Sequence, residues 1–166
     1  VYGFALTRHG PKVDGLPYFA IGKIATGSRV ECADRNAPTD PVAFAARLIG
    51  LDPTAPDLEW VTLIDERTGR ARIAALRQGV VEGIAYLDRA PVAVARAFAI
   101  RLFDDPAGTD LNALIAGRAG RGAEDPGRTV CACQNVGLNA IEAAIKAGHA
   151  TVNAIGQATR AGTQCG

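Results

Sequence analysis

Residues 58–89 read LEWVTLIDERTGRARIAALRQGVVEGIAYLDR, and this stretch decides the fold. Three apolar runs are separated by two turn signals, DERTG and RQG. Short runs rich in valine, isoleucine, leucine and aromatic residues, bounded by glycine, predict three antiparallel strands. In RARIA, Arg70 and Arg72 alternate with Ala71 and Ile73, so one face of this sheet is expected to be wet.

Working outward, residues 14–34, DGLPYFAIGKIATGSRVECAD, alternate loosely around ATGS and predict a β-hairpin. A helix follows in TDPVAFAARLIG. Asp40 is its cap, Pro41 suits the first helical position and Gly50 its stop. Val42, Ala45, Ala46 and Ile49 would share its buried face. On the other side of the three strands, Pro91 opens PVAVARAFAIRLF, where Val94, Phe98 and Leu102 fall on one side and Arg96 and Arg101 elsewhere. A shorter helix, TDLNALIAG, ends at Gly117. The order suggests two copies of a strand–strand–helix unit. The fold class is α+β, a small antiparallel sheet with packed helices, over residues 1–117.

Residues 117–127, GRAGRGAEDPG, combine glycine, charge and proline with almost nothing to bury, so residues 118–128 are read as a linker. The segment lacks the glycine spacing of a dinucleotide-binding loop, and no strand leads into it. Beyond it lie two short helices, VGLNAIEAAIKAG and ATVNAIGQATRAG. Asn139 with Glu142 predicts a capping box, Gly148 the first stop, Thr151 the second cap and Gly162 the second stop. Ile141 and Ile145 are expected to meet Val152, Ile155 and Thr159, making a small all-α helical hairpin.

Three of the four cysteines flank this hairpin: Cys131 and Cys133 before it, Cys165 after it. Residues i and i+2 of an extended segment point the same way and lie under about 7 Å apart, so two such thiolates can reach one metal ion. A helical hairpin returns the chain, so Cys165 can approach the same place. Clustered thiols without a secretion signal are read first as metal ligands. A zinc site of the three thiolates with His149 is an alternative, but His149 sits in the turn at the far end of the hairpin and is read as a surface residue. A Cys131–Cys133 disulfide would be strained, and Cys32 is read as a small buried hydrophobe. A helix-turn-helix DNA reader fits the outline of two short helices. Its second helix offers a groove only Asn153, Gln157 and Arg160, and it leaves the cysteines unused.

The net charge of +1 supports neither nucleic acid nor membrane as a partner. No apolar run approaches the roughly 18 residues of a membrane span, and no signal peptide is evident, so a cytoplasmic location is expected. His9 stands alone in a Gly/Pro-rich loop, and Asp65, Glu66 and Arg67 read as a solvated turn. Residues 1–117 are therefore expected to be a docking or spacer domain. The chain begins at Val1 and contains no methionine, as expected of a fragment or a processed product.

VCACQNVG, two helices split by a glycine turn, and then AGTQCG resemble the [2Fe–2S] domain of bacterioferritin-associated ferredoxin. The family pattern is C-x-C, about 31 residues, then C-x-x-C; 31 residues separate Cys133 from Cys165 here. The resemblance assigns residues 129–166 to such a domain and Cys131, Cys133 and Cys165 to the cluster, with Cys131 and Cys133 on one iron. The fourth family cysteine would fall two residues beyond Gly166, so a labile or absent cluster is expected of a chain ending there. LNALIAGRAGRGAEDPGRTVCACQNVG, YGFALTRHGPKVDGLPYFAIGKI and IDERTGRARIAALRQGVVEGIAYLD resemble the C-terminal region of assimilatory nitrate reductases. That resemblance implies an upstream molybdenum-pterin (molybdopterin) domain on the same chain, a flavoprotein or ferredoxin-type electron donor, and nitrate reduced to nitrite. A nitrite reductase carrying a similar module is the nearest redox alternative. A binding module with structural zinc or no metal is the alternative from another class.

Overall fold

Three strands, β4 (Glu59–Asp65), β5 (Arg70–Arg77) and β6 (Val80–Asp88), form an antiparallel meander. The turns explain the register. The Asp65 carboxylate accepts the Thr68 amide at 3.2 Å and its hydroxyl at 2.8 Å, and Gly69 closes the turn at φ 70°. The Asp65 carboxyl is held below its usual range, first by the Thr68 hydroxyl and then by the Thr68 amide. At the second turn Gln78 (φ 51°) and Gly79 (φ 78°) both take positive φ, the geometry whose twist matches a two-residue hairpin. The hairpin predicted over 14–34 is also present, as β2 (Tyr18–Ile24) and β3 (Gly27–Ala33). One strand of this sheet escaped the sequence reading: β1 (Tyr2–Thr7), which lies between β3 and β6. The sheet order is β2-β3-β1-β6-β5-β4.

This computed structural model describes residues 1–105, 108–117, 127–131, 134 and 136–163. The chain is α+β and forms two compact units, Val1–Val92 with Leu102–Ala116, and Ala93–Arg101 with Gly117–Gly166.

In the first unit the central strands are buried on both faces. Helix α1 (Pro41–Ile49) covers one side, where Ala5, Val30, Ile73, Ala85 and Leu87 meet Leu48 and Ile49. Gly83 permits this contact, since a Cβ there would stand 2.4 Å from Ile49 Cγ2. Asp40 caps α1 by accepting the amides of Val42 and Ala43, and Gly50 ends it at φ 82°. The buried face is Ala45, Ala46, Leu48 and Ile49; Val42 is only half-buried. On the other side Phe4 and Tyr86 stack at 5.6 Å, and the Tyr86 hydroxyl donates to the Leu114 carbonyl of helix α3 (Leu111–Ala116) at 2.5 Å.

The expected wet face of β5 is therefore absent. Arg72 is buried, its guanidinium 5.2 Å over the Tyr86 ring and donating to the carbonyls of Ala71 and Leu87. Burial foremost, then the neighbouring Arg70 charge, lowers its pKa. The two strand–helix blocks also differ in wiring. In the first, β3 sits between β1 and β2; in the second, the strands follow in order.

Helix α2 (Arg96–Phe103) begins five residues after Pro91, where the sequence placed its start. Residues 91–95 stay irregular: Val92 and Val94 are β-branched, and Arg96 Nη1 donates to the Val94 carbonyl. In the second unit, strands β7 (Thr129–Cys131) and β8 (Val136–Gly137) pair, and β8 runs directly into α4 (Leu138–Lys146), followed by α5 (Val152–Thr159). Among the described residues, no helix is long and apolar enough to cross a membrane.

Candidate metal centre

Cys131 is the last residue of β7, paired across to Val136 of β8, and its side chain is buried. The Leu138 amide donates to the Arg128 carbonyl at 2.9 Å, so the strand pair and the start of α4 are tied together. Gly127, at φ 71°, lets the chain enter this ladder, and a Cβ there would meet Asn139 Oδ1 at 2.8 Å. The capping box predicted at Asn139 and Glu142 does not form. Gly137 is the N-cap, no side chain caps the helix, and Asn139 is the second residue inside it. The strand β8 fixes where α4 starts, which overrides the local cap signal.

Helix α5 is capped as predicted, with Thr151 Oγ1 accepting the Ala154 amide at 3.1 Å. It ends two residues before the predicted stop, at Arg160, a non-glycine residue with φ 65°. The hairpin contact differs from expectation too. Ala144 of α4 and Gly156 of α5 are buried, whereas Ile145 is half exposed and Val152 is 89 % exposed. Gly156 is covered by the turn that follows it, where a Cβ would stand 3.2 Å from the Ala161 carbonyl oxygen, while Ile141, Ile155 and Thr159 are half-buried.

After α5 the chain folds back on the cysteine strand. Thr159 Oγ1 accepts the Ala161 amide, and the Thr163 amide and hydroxyl both donate to the Arg160 carbonyl. This turn aims the Gly162 amide at Cys131 Sγ, 3.4 Å away. In sequence Gly162 stands three residues before Cys165, and Cys133 two residues after Cys131. Cys133, Cys165 and most of the 118–128 linker lie outside the described residues. A buried sulfur that accepts a backbone N–H fits a thiolate ligand of an iron–sulfur cluster, whose negative charge such donors offset.

The other candidates fall elsewhere. Cys32 is buried in the sheet unit, and desolvation first, then the Glu31 charge, pushes its pKa up to about 11. It is the small hydrophobe that the sequence suggested. His149 is half-buried and lines a groove together with Gln134, Val136, Ala144 and Thr159. Asn153 and Gln157 are exposed on α5, but Arg160 forms the cap and is not on the helix. Asp65, Glu66 and Arg67 are exposed. His9 is not alone: its Nε2 lies 2.6 Å from Glu82 Oε2, with Arg77 Nη1 3.8 Å from the same oxygen. Topology alone brings His9 and Glu82 together, 73 residues apart. The neighbouring Thr7 hydroxyl is committed to the Ile49 carbonyl, so the pair anchors the loop after β1.

Sequence reasoning missed the Gly162 donor, having read that glycine only as a helix stop. Residues 129–166 match the family model of the BFD-like [2Fe-2S] binding domain. No curated protein and no solved structure matches the chain. The chain thus ends in a BFD-like [2Fe–2S] binding domain.

Proposed function

We propose that the chain is the C-terminal electron-transfer portion of an assimilatory nitrate reductase, with a [2Fe–2S] cluster held by Cys131, Cys133 and Cys165. The observation that carries this reading is the family match over 129–166, together with the buried Cys131 sulfur inside it. When bound, the cluster supplies reversible one-electron chemistry. Cys131 keeps its sulfur out of water at the end of a strand, which fixes one ligand before metal arrives. The Gly162 amide offsets negative charge on that sulfur. The α4–α5 hairpin brings the segment before Cys165 alongside the segment before Cys133.

The nitrate setting rests on the resemblance of residues 2–24, 64–88 and 111–137 to that enzyme family. In this setting electrons arrive from a flavoprotein or ferredoxin-type donor and pass toward a molybdenum site on the same chain. The sheet unit serves as a docking or spacer domain.

The test uses the full-length natural chain, purified anaerobically. After reduction with dithionite and removal of excess reductant, EPR should show a reduced [2Fe–2S] signal that disappears on adding nitrate. Cys131→Ser should abolish the signal. An iron-free protein, or one holding stoichiometric zinc, overturns the electron-transfer reading. Reoxidation by nitrite and not by nitrate moves the assignment to a nitrite reductase.

A further inference from the structure

We infer that the turn Thr159–Thr163 is a tuning element for the cluster, and that its working part is the Gly162 N–H donated to Cys131 Sγ. The inference rests on the cluster-binding reading above and names a residue that the cysteine pattern does not contain. Three observations converge on it.

The first is the contact itself, 3.4 Å from amide nitrogen to sulfur, on a buried side chain. The second is that the turn is over-determined. Thr159 Oγ1 holds the Ala161 amide at 3.2 Å, the Thr163 hydroxyl holds the Arg160 carbonyl at 2.8 Å, and the Arg160 amide donates to Gly156 at 2.7 Å. The third is backbone cost. Arg160 occupies the left-handed region at φ 65°, where a side chain is disfavoured, and Gly162 follows at φ 70°. Such a conformation persists where surrounding bonds enforce it, and here it sets the direction of one N–H.

The physical consequence has a definite sign. Reduction adds one electron, taking one ferric ion of the cluster to ferrous with no bond made or broken, and leaves the ligand sulfurs more negative. An N–H donor stabilises the more negative state more strongly, so it raises the reduction potential. Gly162 is a positioning residue, and its effect is read in the potential.

The N–H can be removed without changing a side chain. Cys131 is a natural ligation junction: a recombinant segment 1–130 is joined to a synthetic segment that starts at Cys131 and extends to a fourth cysteine placed in the C-x-x-C spacing of the family pattern. In one product Gly162 is replaced by glycolic acid, which puts an ester oxygen where the N–H was; the control keeps the amide. Both are reconstituted with iron and sulfide and titrated with dithionite under EPR. The ester chain should assemble the cluster with a lower midpoint potential, equivalent to a roughly tenfold smaller reduction equilibrium constant. Thr159→Val, which loosens the turn and keeps the N–H, should shift it the same way by less. Failure of the ester chain alone to assemble a cluster would also support the role, as loss of positioning. An ester chain with a full cluster and an unchanged potential overturns the inference and leaves the cluster-binding reading standing. A control that takes up no cluster overturns both.

Discussion

The two regions of this chain solve the problem of staying folded by different means. In the sheet unit Phe4, Leu6, Leu48, Ile49, Ile73, Ile84 and Tyr86 are essentially removed from water. Between residues 127 and 163 the buried described residues are Cys131, Val136, Gly137, Ala144 and Gly156. Burial stabilises by about 25 cal/mol per Å2 of apolar surface, and glycine and alanine contribute little of it. Val94, Ala95, Phe98 and Ala99, also buried, belong to the same compact unit as this segment, and a segment with so few large buried side chains of its own gains stability from a cross-link or a metal. The contrast teaches that the described C-terminal segment buries mostly small side chains, whereas the sheet unit buries large ones.

Iron removal should break the comparison open most widely. Chelation should raise amide exchange across 127–163 by orders of magnitude and leave β1, β5 and β6 protected, as hydrogen-exchange mass spectrometry would show. Equal protection of the module with and without iron would mean that its packing suffices. The converse change is Phe4→Ala, which opens a cavity against Tyr86. It should cost the sheet unit about 3–5 kcal/mol in denaturant unfolding, with the cluster's EPR spectrum unchanged. A spectrum altered along with the sheet would show the two regions to be energetically one.

The smallest effect sharpens the difference between the two described cysteines. Cys32 has its folded-state pKa raised from 9.0 to about 11. Its contribution to stability is fully present below about pH 9. It is lost as pH rises toward 11, because the unfolded thiol ionises first. Urea midpoints of Cys32→Ala should therefore fall less between pH 8.5 and 10.5, values chosen as roughly bracketing this window, than those of the unaltered chain. Parallel slopes would remove Cys32 as a source of the alkaline instability.

Much of the sheet unit was legible because local chemistry and the fold agree there. Asp40, Pro41 and Gly50 bound α1 as read, and DERTG and RQG are the turns of the meander. Strand β1 was not legible. Its residues Gly3–Thr7 are all buried, so the alternation that betrays a half-wet strand is missing. Arg72 misled for the opposite reason: an arginine in alternation looks solvent-facing, yet here Tyr86 and two carbonyls receive it. In the module, Thr151 was read correctly, whereas Ile145 and Val152, expected in the hairpin contact, are exposed. Periodicity shows which residues share a helix face, but not which face a partner takes.

The sequence by itself determined the α+β class and the spacing of Cys131, Cys133 and Cys165. These follow from turn residues, caps and covalent distance, all local in the chain. Only the tertiary structure decided that β1 enters the middle of the sheet, that His9 meets Glu82, and that the Gly162 amide reaches Cys131. Each of these joins residues far apart in sequence, where no propensity or period acts and only the path of the folded backbone brings donor to acceptor.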